Sequence, residues 1–292
     1  MSTTEPFGFL NIDKPLGMTS HDVVARIRRV FHTKRVGHAG TLDPLATGVL
    51  VVCLGAATRL SEYVMDSTKR YTARVRLGAT TETYDAEGMI VEQGDASAVS
   101  RADVEQALAS FTGEIDQLPP MFSAVKQGGR KLYQLARAGE TVERAPRRVT
   151  IYSLAVTDWS PPEFTLLVAC SAGTYIRSLA HDLGQTLGVG AYLAGLVRTA
   201  SGGFALDDAV PLDRLLETDS PEQFLIAPAA ALRDRPSILL DSSQADAIRH
   251  GRAIEGADAD GAVTFAYLPD DRLAAVLHAE GGSWKPQKVF IP

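Results

Sequence analysis

The stretch Arg35–Gly55, RVGHAGTLDPLATGVLVVCLG, decides the fold because it joins a loop of structure-breaking residues to a segment suited to burial. Val49–Leu54 is continuously apolar and mostly β-branched or bulky, as in a strand covered on both faces. The breakers exclude a regular element before it: Gly37, Gly40, Pro44 and Gly48. Asp43 stands in this stiffened loop. It is either a reactive carboxylate or a residue that caps a turn beside the proline.

The length of 292 residues predicts two domains, at roughly 150 residues each. No apolar window reaches the ~18 residues of a membrane span, and the N-terminus lacks the pattern of a signal peptide. We therefore expect a cytoplasmic protein that has no membrane partner. Cys53 and Cys170 lie in apolar runs, which favours two buried reduced thiols, with a disulfide as the alternative.

The net charge of −6 argues against a nucleic-acid partner, but the distribution of charge argues for one. Residues 14–35 hold six basic groups and one acid, and residues 126–148 hold seven basic groups and two acids. Such segregation is typical of a basic, phosphate-binding face on an acidic protein. The alternative is that these are solvated faces that never meet in space.

Hydrophobic periodicity predicts both helices and strands. Lys69–Gly78 alternates between apolar and basic residues, which indicates a half-buried antiparallel strand with a basic outer face. Thr19 or Ser20 is expected to cap one helix, and Thr174 a second helix that contains Arg177. The remaining elements are strands at 8–13, 149–156 and 164–170, helices at 101–111 and 131–138, and a β-rich tail.

Arg177 is in the first turn of its predicted helix, where the helix dipole disfavours a cation by about 0.3–1 kcal/mol. A compensating carboxylate is expected, and Asp43 is a candidate; an arginine that reaches water is the alternative. Tyr71 is either a core residue or an aromatic platform for a base. Asp85 precedes Gly88 and is explained by a turn alone.

Motifs for other chemistries are absent from the sequence: it has no HExxH, CxxC, GxxxxGK[ST] or GxGxxG. Nucleotide-dependent chemistry therefore has no support in the sequence. A metal site built from His21, Asp22, His38 and Asp43 would require the fold to bring them together.

Several ordered segments resemble the motifs of the TruB family of tRNA pseudouridine synthases. These are GHAGTLDPLATGVL, KRYTARVRLG, TYDAEG and CSAGTYIRSLAHDLG. NIDKPLGMTSHDVV and SAVKQGGRKLYQLAR resemble the N-terminal and insertion segments of the family. The resemblance implies an α/β (α+β) fold. Residues 1–232 would form a pseudouridine synthase-type mixed, largely antiparallel sheet flanked by helices, with an RNA-clasping insertion at about 118–148. The resemblance also implies a small β-rich, PUA-like RNA-binding domain at 233–292.

The resemblance further implies isomerisation of uridine 55 in the T loop of tRNA, with no metal or organic cofactor. Asp43 would be the nucleophile, Arg177 its ion-pair partner, and Tyr71 a platform for the flipped base and a proton acceptor. The other implied substrate contacts are His38, Tyr175, Leu196 and Asp85. Phosphate contacts would come from Arg29, Lys34, Arg35, Lys126, Arg130 and Lys131. We expect a monomer that binds the T arm.

Three alternatives stay open at this point. The protein could be a pseudouridine synthase for another RNA site. It could instead be a metal-dependent hydrolase that uses His38 and Asp43, or a non-catalytic protein that binds or folds RNA.

Overall fold

The computed structural model describes residues 5–123, 125–140, 142–257 and 259–291. Its helices are α1 (Ser20–Val30), α2 (Ser61–Met65), α3 (Arg101–Leu108), α4 (Leu132–Arg137), α5 (Ile176–Thr186), α6 (Leu212–Glu217), α7 (Pro228–Ala231) and α8 (Ser242–Arg249). Short 3₁₀ turns occupy Gly55–Leu60, Ala109–Phe111, Leu206–Asp208 and Pro221–Phe224.

The strands of the first 211 residues are β1 (Gly8–Lys14), β2 (Val36–His38), β3 (Ala46–Leu54), β4 (Lys69–Leu77), β5 (Ala79–Thr81), β6 (Ile90–Gln93), β7 (Gly113–Gln117), β8 (Lys126–Gln127), β9 (Arg130–Lys131), β10 (Arg147–Ser160), β11 (Glu163–Cys170), β12 (Ala191–Ser201), β13 (Phe204–Ala205) and β14 (Val210–Pro211). Those of the C-terminal part are β15 (Ser237–Leu239), β16 (Ile254–Glu255), β17 (Val263–Tyr267), β18 (Leu273–Glu280) and β19 (Ser283–Val289).

A ten-stranded mixed sheet forms the centre of the protein, in the order β14-β1-β3-β12-β4-β11-β10-β7, with β2 paired to β3 and β13 to β12. Its pairs are antiparallel except β1 with β14 and β3 with β12. The predicted mixed, largely antiparallel sheet is therefore confirmed. The parallel pair matters for the site because it brings Leu196 opposite Ala46, just after the Asp43 loop.

The predicted alternation of β4 is confirmed, because Tyr71, Ala73, Val75 and Leu77 are buried while the intervening arginines are exposed. Both neighbours of β4 run antiparallel to it. Helix α1 begins as predicted, with Thr19 as its N-cap in a capping box with Asp22. Its apolar face packs with α5 against one side of the sheet, in a core that contains Ile27, Val52 and Leu183.

The C-terminal β-rich domain is present as a five-stranded sheet in the order β15-β17-β18-β19-β16. Its Phe265 and Val276 share a core cluster with Val49 and Val51 of β3, on the side of the sheet opposite the α1 cluster. Strand β3 is thus buried on both faces, which explains its unbroken apolar run. The boundary at residue 232 and the PUA-like character of this domain stay predictions.

Three local predictions are wrong. The glycines before Val49 do not exclude a regular element, because Gly37 lies in β2 and Gly48 lies in β3. Thr174 does not cap α5, because its hydroxyl donates to the carbonyl of Ser171, and Tyr175 is the N-cap without a side-chain cap bond. Lys14 is not part of an exposed basic face. Its side chain is fully buried, and Nζ donates to the carbonyls of Pro15 and Met18. Cys53 and Cys170 are free buried thiols.

Candidate active site

The Asp43 loop connects β2 to β3 and is fixed by hydrogen bonds at both ends. Ser20, the first residue of α1, exchanges hydrogen bonds with the backbone of Leu42 at 2.9 and 3.0 Å. The amide of Ala46 donates to the carbonyl of Asp43 at 3.0 Å, which closes a turn around Pro44. Gly48 must be glycine, because its φ is +92° and an added Cβ would lie 2.4 Å from the carbonyl oxygen of Arg198.

Arg198 of β12 holds this loop from beneath. Its side chain is 1% exposed, and its guanidinium donates to the carbonyl of Val49 at 2.7 Å, Gly40 at 3.0 Å and Thr41 at 3.4 Å. These acceptors lie on both sides of Asp43. A single buried side chain therefore ties together the two ends of the loop.

The structure contains an ion pair between Arg177 and Asp43. Arg177 Nε lies 2.9 Å from Asp43 Oδ2, and Nη1 lies 3.4 Å from Oδ2 of Asp85. The Asp43 side chain is 40% exposed, whereas those of Arg177 and Asp85 are 6% and 2% exposed. One buried cation therefore bridges a buried carboxylate and one that opens to solvent.

Two backbone carbonyls also accept hydrogen bonds from Arg177. Nη1 donates to Thr83 at 3.1 Å, and Nη2 donates to Phe122 at 2.9 Å. The Asp85 carboxylate in turn accepts from the Thr83 hydroxyl at 2.5 Å and from the Glu87 amide at 3.0 Å. Arg177 is thus held in one orientation, with Nε directed at Asp43.

The electrostatics of Asp43 reflect its position at the edge of the protein interior. Loss of hydration raises the pKa of its carboxyl group, and the nearby Asp85 carboxylate adds to this. The Arg177 guanidinium opposes the shift and favours the ionised form. Lys14 acts in the same direction as Arg177, which gives this buried lysine an electrostatic connection to the site.

A cavity of about 310 Å³ opens beside Asp43. Four predicted site residues line it with Asp43: Tyr71, Tyr175, Arg177 and Leu196. Tyr71 is 8% exposed, and burial raises the pKa of its hydroxyl, while Arg198 opposes that shift. The sheet and the start of α5 therefore bring the carboxylate, two aromatic rings and an apolar side chain together around one space.

A second cavity, of about 630 Å³, meets the first at Asp43 and Arg177. Asp85 lines it, and its outer wall comes from the predicted insertion through Lys131, Tyr133 and Arg137. The Tyr133 ring lies between two cations, with Lys131 Nζ 5.5 Å and Arg137 Cζ 5.7 Å from its centroid. The insertion therefore presents an aromatic ring and positive charge towards the approach to Asp43.

His38 lies apart from these two cavities. It is half-buried at the end of β2, and its ring meets that of His21 edge-on, with centroids 5.6 Å apart. Burial lowers the pKa of His38 to about 4, so the ring is neutral at pH 7. His38 is not among the residues that line either of the two cavities beside Asp43.

The predicted phosphate contacts differ in their surroundings. Arg29, Lys34 and Arg35 are exposed at the end of α1 and in the turn after it, and Arg35 pairs with Glu5 at 3.4 Å. Arg130 is exposed and pairs with Glu140, while Lys131 is half-buried. The Lys126 side chain lies outside the described part of the structure.

Sequence reasoning missed three buried cations near the site, namely Lys14, Lys69 and Arg198. Lys69 Nζ donates to the carbonyl of Met65 at 2.9 Å and to the hydroxyl of Ser67 at 2.7 Å. Burial lowers the pKa of Lys69 to about 8. Sequence alone does not show whether a basic residue at the end of a strand is buried or faces water.

Among the described residues, no three His, Cys, Asp or Glu side chains are close enough to hold a metal ion. The set His21, Asp22, His38 and Asp43 therefore does not form such a group. In the same part of the chain, no helix has the length and apolar character needed to cross a membrane.

Comparisons with known proteins agree with this geometry. The family model for the N-terminal domain of TruB family pseudouridylate synthases matches residues 28–176, and that for the tRNA pseudouridylate synthase B C-terminal domain matches residues 177–232. The tRNA pseudouridine synthase B of Symbiobacterium thermophilum is 50% identical over 86% of this chain and 84% of its own length. That of Cupriavidus metallidurans is 43% identical over 97% of this chain and 93% of its own.

Two solved structures are also similar over most of the chain. One is a Cbf5-Nop10-Gar1 complex, with a TM-score of 0.78 and 29% identity over 98% of this chain and 85% of the matched chain. The other is an H/ACA RNP bound to a substrate RNA that contains 2′-deoxyuridine, with a TM-score of 0.76 and 26% identity over 98% and 86%.

Proposed function

This chain belongs to the TruB family of pseudouridylate synthases, and we propose that it converts uridine 55 in the T loop of tRNA to pseudouridine. Its relatives from two bacteria are named tRNA pseudouridine synthase B, which supports tRNA as the substrate. The observation that carries the proposal is the ion pair of Asp43 with Arg177 at the mouth of a cavity lined by Tyr71.

The reaction breaks the N1–C1′ bond, rotates the uracil and forms a C5–C1′ bond. The proton on C5 is lost, and N1 gains one, so no oxidant, reductant or co-substrate is consumed. A nucleotide in a folded loop cannot present C5 and C1′ to a carboxylate, so the base must leave its stack, at a cost of a few kcal/mol. Aromatic contacts with Tyr71 and Tyr175 offset part of this cost.

Asp43 is the proposed nucleophile. Its side chain is partly open to the cavity, and Arg177 favours its ionised form. The carboxylate either attacks C1′ or assists deprotonation at C2′. In the second route Tyr71 of β4, which lines the same cavity as Asp43, is the proposed proton acceptor at the sugar.

Binding of the T arm is assigned to two basic regions. Arg29, Lys34 and Arg35 would contact phosphates on one side, and the insertion would close over the T arm on the other with Lys126, Arg130 and Lys131. His38 and Asp85 are proposed as further substrate contacts, Leu196 as the apolar wall of the uracil site, and the C-terminal domain as PUA-like. We propose that the enzyme acts as a cytoplasmic monomer.

The test is tritium release from a tRNA transcript labelled at uracil C5, without added metal or cofactor. Wild type should release tritium from position 55, and Asp43→Asn should bind tRNA but release none. A transcript with cytidine at position 55 is the matched substrate control. Release from another position would support the alternative of a different RNA site, and full activity of Asp43→Asn would overturn the assignment of the nucleophile.

A further inference from the structure

Tyr84 and His181 form a face-to-face stack next to the site. Their ring centroids are 3.8 Å apart and the ring planes differ by 11°. Tyr84 has a backbone φ of +63°, a left-handed conformation that a bulky residue adopts only where its surroundings impose it. The stack therefore coincides with the one strained residue of the turn that leads into Asp85.

The turn that contains Tyr84 supplies half of the contacts of Arg177. The residue before Tyr84 is Thr83, whose carbonyl accepts from Arg177 Nη1. The residue after it is Asp85, whose carboxylate meets the same nitrogen at 3.4 Å. A change in the backbone of Tyr84 would move both acceptors together.

His181 stands one helical turn after Arg177 on α5, so the two side chains lie on the same face of the helix. Arg177 contacts the turn at Thr83 and Asp85, the residues on either side of Tyr84. His181 contacts the same turn at the ring of Tyr84. The helix and the turn are thus joined at two points that cannot slide independently.

Packing, rather than hydrogen bonding, fixes the His181 ring. Its Nδ1 is buried and has no hydrogen-bond partner among the residues that the structure describes. Burial and the nearby Arg144 lower the pKa of His181, which keeps the imidazole neutral against the phenol ring. The amide of Leu193 donates to the Tyr84 carbonyl at 3.0 Å, which anchors the other side of the residue.

We propose that Tyr84 and His181 are positioning residues, and that their stack sets the orientation of Arg177 and, through it, of Asp43. The inference rests on the proposed roles of Asp43 and Arg177. Neither ring is needed to touch the substrate. The stack fixes the position of α5 relative to the Thr83–Glu87 turn.

The test compares variants that keep a ring with variants that lose it, using single-turnover tritium release and tRNA affinity. His181→Phe and Tyr84→Phe keep the stack and should stay within about twofold of the wild-type rate. His181→Ala and Tyr84→Ala should lose about tenfold in rate with unchanged tRNA affinity, because small displacements of reacting groups are costly. Equal rates for His181→Ala and His181→Phe would overturn the proposal.

A double-mutant cycle separates positioning from general destabilisation. The stack is proposed to act through the Thr83–Glu87 turn, which carries Asp85. Adding His181→Ala to Asp85→Asn should therefore lower the rate little further, whereas independent effects would multiply. Multiplying effects would overturn the proposal. An inactive Asp43→Asn together with an unaffected His181→Ala would refute the role of the stack alone. An active Asp43→Asn would refute the proposed nucleophile and the inference with it.

Discussion

The guanidinium of Arg177 lies 2.9 Å from the carboxylate of Asp43, although Arg177 stands in the first turn of α5, where the helix dipole disfavours a cation. Two carboxylates and two backbone carbonyls offset that cost. These contacts fix the guanidinium beside Asp43, as its proposed role of orienting that carboxylate requires.

Replacement of Arg177 should therefore separate binding from turnover. Arg177→Met should keep tRNA affinity within about threefold and lower the single-turnover rate by at least about 100-fold, because the carboxylate loses its orientation and the stabilisation of its charge. Filter binding and tritium release measure the two quantities. Full activity of the variant would show that the ion pair is not needed for catalysis.

The pH dependence of the reaction should reveal the environment of Asp43. In the proposed reaction the ionised Asp43 carboxylate is the active form. Because burial raises its pKa, activity should fall on acidification at a higher pH than for an exposed aspartate. Single-turnover rates across pH 4–8, with tRNA affinity measured at each pH, test this. A rate that stays constant down to pH 4 would contradict the raised pKa.

Lys14 should make stability depend on pH in a defined direction. Burial lowers its pKa from 10.5 to about 8, so between these values the unfolded chain binds a proton that the folded chain has released. Stability must then rise with pH through this window. The free energy of unfolding of wild type should accordingly rise relative to that of Lys14→Met between pH 8 and 10.5, as measured by urea denaturation. A constant difference would contradict the expectation.

Arg198 should be irreplaceable by lysine. A single ammonium group cannot reach the carbonyls of Gly40, Thr41 and Val49 together, and each buried carbonyl left unpaired costs about 1–3 kcal/mol. Arg198→Lys should thus lower both the free energy of unfolding and the rate. Arg76→Lys, on the exposed face of β4, is the matched control and should change stability by less than about 0.5 kcal/mol.

The exposed basic residues should determine how tRNA affinity depends on salt. Each phosphate contact contributes about 0.7–0.9 to the slope of log K against log salt concentration. The triple variant of Arg29, Lys34 and Arg35 to alanine should therefore reduce the slope by about 2. Arg101→Ala, outside both basic segments, should leave it unchanged. An unaltered slope in the triple variant would mean that these side chains do not contact the RNA.

Local pattern was sufficient for much of the fold. The alternation of β4 and the capping box at Thr19 depend on neighbours along the chain, and both are present in the structure. The unfavourable position of Arg177 was also a local signal, and it pointed to the carboxylate that the structure places beside it.

Residue type alone did not predict which atoms some side chains contact in the folded protein. Lys14 reads as a surface residue because its acceptors are backbone carbonyls, which carry no sequence signal. Threonine is a residue type that commonly caps helices, but the hydroxyl of Thr174 donates to the carbonyl of Ser171 instead. The stack of Tyr84 on His181 arises only when α5 packs against the turn.

The core shared by β3 and the C-terminal sheet gives the last sixty residues a structural role in addition to the proposed binding of RNA. Phe265 and Val276 cover the face of β3 that contains Val49 and Val51, and the same strand begins three residues after Asp43. A chain shortened before β15 would leave this apolar surface of β3 in water, on the strand that follows the Asp43 loop. The C-terminal region therefore covers one face of the catalytic domain. Its removal should lower solubility and distort the Asp43 loop, whether or not this region contacts RNA.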